Sequence, residues 1–222
     1  MTIARIKDGG IYFGNLDKLV TKKRMSQQKI EKLEEEIKDL HYNPQIAKHS
    51  FSDQDTKEFY NNFWNIHIKP VIEYSKQMAE KYNADKEAVW LGAILHDIAR
   101  LTDEEPHDEV GSEKAYKILM DKGFDKELAE KVKGIILTHR CRKYPPETME
   151  QKIVASADAM AHFLPPFYLW IGKYTSKNFE EMIAGNLRKI ERDYNEKIFF
   201  EDEKKMVEEQ YKMLKNWLTY KI

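Results

Sequence analysis

An unbroken apolar segment, Ala88-Val89-Trp90-Leu91-Gly92-Ala93-Ile94-Leu95, runs directly into His96-Asp97. Eight uncharged residues in a row predict a helix buried on most of its sides. A carboxylate at the end of such a helix needs a partner, because an isolated buried anion is very costly. A divalent cation supplies that partner and uses the adjacent imidazole as well.

The rest of the chain reads as further helices. Lys22 to Leu40 carries Ile30, Leu33, Ile37 and Leu40 on one stripe, the remainder being a solvated Glu-Lys face. Ser52 or Ser50 can cap the next helix, whose stripe is Tyr60, Trp64, His67, Val71, Tyr74 and Met78. Pro70 either kinks that helix or opens a second one beside His67. Asp85 caps the apolar helix, Ser112 a helix through Asp121, and Asp125 one with Leu128, Val132, Ile135 and Ile136 inward. Thr148 with Gln151 resembles a capping box for a helix to Leu164, which Pro165-Pro166 stops. Two amphipathic helices follow, one with Met182, Ile183, Leu187 and Ile190, the other with Val207, Tyr211, Leu214 and Leu218. Residues 1–20 read as a loop or short hairpin, and no strand pattern appears after them. The expected fold class is all-α.

Polar residues on the inward faces carry the functional signal. His67 shares a stripe with Trp64, Val71 and Tyr74. His139 follows Ile135 by four residues, and Asp158 follows Val154 by four. Taken singly, each could be a core histidine or a paired aspartate. Together with His96, Asp97 and His107, they make every inward polar residue a potential metal ligand, with no inward lysine expected to balance the carboxylates. Mixed imidazole and carboxylate donors suit Mn, Fe, Co, Ni or Zn better than Ca. Helices that point such side chains into one cavity can hold two ions, which Asp97 could bridge, and activate water as a nucleophile.

The order His67, then His96-Asp97, then Asp158, with 28 residues between the first two histidines, resembles the HD superfamily of metal-dependent phosphohydrolases. Ala93-Ile94-Leu95-His96-Asp97-Ile98 is similar to the family's core motif. His107-x-x-x-Gly111, Ile136-x-x-His139 and Ala157-Asp158-Ala159 are similar to its later motifs. The resemblance spans about residues 55–163. It implies an HD-domain helical bundle over residues 51–166, with an N-terminal extension over 1–50 and C-terminal helices over 167–222 packed on it. It implies His67, His96, Asp97 and Asp158 as ligands of one metal, and His107 and His139 as the additional pair of a binuclear site bridged by Asp97. The cofactor expected is one or two divalent ions (Mn, Fe, Co, Ni, Zn or Mg).

The implied reaction is attack of metal-activated hydroxide on a small phosphate ester, nucleotides included, with Asp97, His107 and Arg100 as the catalytic set. Forked guanidinium groups pair well with phosphate, so Arg100 and Arg140 are expected to touch substrate, with Arg142 and Lys143 nearby. His162, one turn after Asp158, is either a substrate contact or a packed core residue, and His41 and His49 match no motif. The aromatic run Phe163, Phe167, Tyr168, Trp170 and Tyr174 either covers the pocket or packs the last helices. Two rivals stay open: a di-iron HD enzyme performing oxidation, and a non-catalytic metal or nucleotide sensor.

Composition narrows the partners. A net charge of −1 over 222 residues offers no basic footprint, so no nucleic-acid polymer is expected. One cysteine, Cys141, excludes an internal disulfide framework and a thiolate metal cluster. No segment approaches the ~20 apolar residues of a membrane span, and none near the N-terminus reads as a signal peptide. A soluble cytoplasmic protein acting on a small phosphate compound is expected, with a homo-oligomer left open. Phosphate-loop, dinucleotide, zinc-protease and serine-hydrolase motifs are absent.

Overall fold

The computed structural model describes residues 5–7, 10–12, 14–45 and 52–219, so Ser50 and His49 lie outside the described residues. The chain opens with an antiparallel hairpin of β1 (Arg5–Lys7) and β2 (Gly10–Tyr12), in register Ile6↔Ile11. Helices account for nearly all the rest. They are α1 (Gly14–Tyr42), α2 (Asp53–Phe63), α3 (Lys69–Lys81), α4 (Lys86–Leu95), α5 (His107–Asp121), α6 (Lys126–Thr138) and α7 (Met149–Ala161). The chain continues through α8 (Pro166–Lys173), α9 (Phe179–Arg192), α10 (Glu201–Met206) and α11 (Glu208–Thr219).

The apolar segment is the central helix. α4 packs against α1, α3, α6 and α7, and seven of its residues are buried. Its start is fixed by Asp85, whose side chain accepts from the Ala88 N–H. Ser52 caps α2 by accepting from Asp55 N–H, Asp125 caps α6, and Thr148 with Gln151 forms a reciprocal capping box on α7. Each cap sets where a helix begins, and hence which residue reaches the far end.

Several expectations are corrected. α1 begins at Gly14 rather than near Lys22, and its stripe ends on His41, 2% exposed, while Leu40 is 40% exposed. Ser112 is not a cap. α5 begins at His107 behind Pro106, and Ser112 is buried within it, its hydroxyl donating to the Glu109 carbonyl. His107 therefore opens a helix. Pro70 sits in the first turn of α3. Between α2 and α3, Trp64–Ile68 forms a π-helical turn that contains His67. A second π-helical turn, Asp193–Lys197, follows α9 and packs on α7. Pro165-Pro166 stops α7 but starts the short helix α8, which the sequence reading does not foresee.

Candidate metal centre

His96 and Asp97 are adjacent, and successive residues of an α-helix diverge by about 100°. Both reach one cluster of imidazoles and carboxylates because α4 ends at Leu95 and the chain tightens into a 3₁₀ turn over Ile98–Thr102. The π-helical turn places His67 opposite them. Such insertions into helices are frequent at functional sites. His107 comes from the first residue of α5, His139 from the C-cap of α6, and Asp158 from within α7.

The six side chains fall into two buried groups, His67, His96 and Asp158, and then Asp97, His107 and His139. Each group has one ligand atom per residue close enough to hold an ion in common. In the first, His67 Nε2 lies 3.2 Å from His96 Nε2 and 3.3 Å from Asp158 Oδ1. Asp97 spans the two groups. Its Oδ2 is 3.5 Å from His67 Nε2 and 3.7 Å from His96 Nε2. Its Oδ1 is 3.3 Å from His107 Nε2 and 3.7 Å from His139 Nε2.

The proton inventory leaves these atoms as electron donors. His96 Nδ1 lies 2.9 Å from the Ala93 carbonyl, and His139 Nδ1 lies 2.6 Å from the Ile136 carbonyl. A carbonyl only accepts, so each Nδ1 carries the proton and each Nε2 presents a lone pair. His107 Nδ1 is held by Glu105 at 3.0 Å. Outer partners of this kind orient metal-binding imidazoles. Burial pushes His96 down to about 4, so it is neutral at pH 7. Burial pushes Asp97 up, but His96, His139 and His67 outweigh it and hold the carboxyl well below the usual range. Asp158 is likewise held low against its burial, chiefly by Lys197. Ionised carboxylates and imidazole lone pairs thus crowd one cavity, and Asp97 Oδ1 is buried with no hydrogen-bond donor. A divalent cation satisfies that donor set.

Lys197 corrects the expectation of no inward lysine. It is 2% exposed and its ammonium is ion-paired to Asp158 Oδ2. It comes from the second π-helical turn, anchored where Ser156 Oγ donates to the Lys197 carbonyl at 3.2 Å. His162 is also buried, with Nε2 3.4 Å from Asp158 Oδ1 and Nδ1 2.8 Å from Asp193 Oδ2. Its ring stacks with His67 at 5.0 Å, and Phe63 stacks with His67 at 5.5 Å. Burial, then the Lys189 charge, pushes His162 down to about 3. Sequence reasoning missed Lys197 and Asp193, which sit in a polar stretch. The one usable signal was Ile198-Phe199-Phe200, an apolar run that takes the chain inward just after Lys197.

The groups open into a cavity of about 760 Å³. Arg100 lines it with Nε 3.8 Å from Asp97 Oδ1 and a second nitrogen 3.3 Å from Glu105. Arg140 lines it too, bonded to Glu105 at 3.2 Å and Asp108 at 3.1 Å. Lys143 pairs with Glu109 at 3.1 Å and is not part of the lining. Phe167, Trp170 and Tyr174 form an aromatic wall with Phe59 and Phe63, whereas Phe163 packs on Tyr194 and Tyr211. The aromatic run therefore covers the cavity and also packs the last helices.

An all-α bundle enclosing two buried His/Asp groups defines the class, and comparison with known proteins sets a family beside it. Residues 65–162 match the family described as the HD domain. Over those residues the chain is similar to an HD domain. An uncharacterised protein of Methanocaldococcus jannaschii is 38% identical over 109 residues, 41% of this chain and 62% of that protein. A tRNA (cytidine(56)-2'-O)-methyltransferase of Picrophilus torridus is 31% identical over 129 residues, 52% of this chain and 37% of that protein. The matches thus cover less than two thirds of the length of either curated relative. The crystal structure of a "predicted HD superfamily hydrolase" from an uncultured Thermotogales bacterium shares the fold, with TM-score 0.54 and 22% identity. That likeness covers 83% of this chain and 88% of the other. No helix among the described residues is long and apolar enough to cross a membrane.

Proposed function

We propose that the chain is a metal-dependent phosphohydrolase acting on a small phosphate ester, with nucleotides the first class to try. The observation that carries this reading is the division of Asp97, one oxygen toward each buried group. His67, His96, Asp158 and Asp97 Oδ2 would hold one ion, and Asp97 Oδ1, His107 and His139 a second. Divalent ions held there supply Lewis acidity and a nucleophile derived from water near neutral pH.

The chain's own residues do the rest. Glu105 fixes the His107 ring, and the Ala93 and Ile136 carbonyls fix His96 and His139. Arg100 and Arg140 stand on the same cavity and hold phosphoryl oxygens by charge-assisted hydrogen bonds. The aromatic wall keeps bulk water from the non-reacting part of the substrate. His162, wedged between His67 and Asp193, keeps the His67 ring in place rather than touching substrate.

Metal analysis of protein purified without chelator, followed by a panel of phosphomonoesters and phosphodiesters with Mn, Co, Ni or Mg added, tests the reading. The expected result is close to two ions per chain and metal-dependent phosphate release. Iron-dependent oxygen consumption with no phosphate release would replace it with an oxidative reading. Metal bound without turnover on any ester would replace it with a sensor.

A further inference from the structure

The cavity holds more positive charge than one phosphoryl group at the metal centre can use. Eight lysine and arginine side chains line it against two carboxylates, in a chain whose net charge is −1. Arg100, Arg140 and Lys197 are tied to acidic groups around the metal centre. On the wall formed by α9 and the turn after α6, the balance differs. Among the described residues, Arg142 and Arg188 form no ion pair, and both are exposed on the lining. Arg192 gives one nitrogen to Asp193 at 3.2 Å, while its Nε is buried with no partner at all. Burial, then the like charges of Arg140 and Arg192, push the Arg142 guanidinium down against the opposing pull of Asp108 and Glu105. Guanidinium groups with donors left over on one wall of a pocket are available to an anion, and forked donors suit phosphate.

We infer that Arg142, Arg188 and Arg192 form a second anion subsite, selecting substrates that carry a further phosphoryl group beyond the one at the metal centre. The substrate class is then an organic phosphate with two or more phosphoryl groups, its carbon skeleton lying along Phe63 and Trp170. Two of the three arginines come from α9, outside the residues that match the HD domain. The subsite is thus built jointly, by Arg142 within the matched residues and by α9 beyond them. The inference rests on the hydrolase reading for its consequence in turnover, but not for binding.

Two measurements on the full chain separate the two ideas. Calorimetry with inorganic pyrophosphate and inorganic phosphate, with Mg present, compares binding in wild type, R188Q and R142Q/R188Q. Turnover of ADP and AMP compares kcat/KM in the same proteins. Removing a charge-assisted bond should weaken pyrophosphate binding and lower kcat/KM for ADP by about tenfold or more beyond the effect on phosphate and AMP. Equal losses on both members of each pair, or none, would overturn the subsite even if phosphate is released. Arginine-dependent pyrophosphate binding with no turnover of any ester would keep the subsite and remove the hydrolase reading. Both altered side chains are exposed, so unchanged thermal unfolding serves as the folding control.

Discussion

Asp97 is the residue common to both buried groups in space, because each lies beside a different oxygen of the same carboxylate. Asp97→Asn keeps the shape and removes the charge. It should cut bound metal from near two per chain to below one and lower turnover more than about 100-fold, the upper loss seen for mere outer partners of a metal site. Elemental analysis and initial rates on one preparation check both, and an unaltered stoichiometry would contradict a bridging role. A second prediction concerns His41, which is not part of the site. Burial pushes it down to about 4 against an ordinary value of 6.5. The unfolded chain therefore binds a proton that the folded one refuses, and stability is lost as pH falls from about 6.5 toward 4. The linkage amounts to about 3 kcal/mol, so urea unfolding at pH 7.5 and pH 4 should show His41→Phe losing about that much less than wild type. The candidate ligands were legible in the sequence because polar groups interrupting apolar stripes are conspicuous: His67 among Trp64 and Val71, Asp158 after Val154. Lys197 was not, because Asn195-Glu196-Lys197 looks like any solvated face until a π-helical turn folds it inward.

Elements place these residues, and their crossings are tight where the ligands diverge. α4 and α6 each end on a candidate ligand, His96 and His139, and they touch at Gly92. A Cβ added there would lie 2.7 Å from Ile135 Cγ2, a side chain with no solvent exposure. Alanine would gain roughly 1 kcal/mol of helix propensity. Forcing the helices apart costs typically about 1–3 kcal/mol, so Gly92→Ala should be neutral to destabilising by about 2 kcal/mol. Its more telling effect should be weaker metal binding, since His96 and His139 would separate. Ile135→Ala beside it should relieve the clash, and a double-mutant cycle would show less than the sum of the single costs. Additive costs would mean that the two helices do not press on each other. Helix existence was readable from periodicity and caps, as with Asp85, Asp125 and Thr148. The start of α5 was misread because Ser112 is a good cap residue by type, whereas Pro106 followed by Asp108 and Glu109 was the better signal. The two π-helical turns have no sequence signature that periodicity can detect, since they depend on what packs against them.

At the scale of the molecule, the C-terminal segment meets the matched residues through several buried polar contacts, among them the Lys197–Asp158 ion pair. Lys197 reaches Asp158 from the turn after α9, and Asp193 in the same turn holds His162. Both partners of the Lys197–Asp158 pair are almost fully buried. Breaking such a pair by removing one partner costs about 3–5 kcal/mol, because the other charge stays behind unpaired. Lys197→Met should therefore destabilise the metal-free protein by about that amount. A cation near Asp158 supplies the missing positive charge, so the same substitution should cost less once metal is bound. Metal at 100 times its dissociation constant stabilises wild type by about 2.7 kcal/mol. For a chain of this size that corresponds to roughly 5–10 °C in Tm. Lys197→Met should show a larger metal-induced rise than wild type, because the ion also repairs the stranded carboxylate. Calorimetric scans of both proteins, with chelator and with Mn, give the four melting temperatures needed. An equal rise in both proteins would mean that the lysine and the ion act on Asp158 independently.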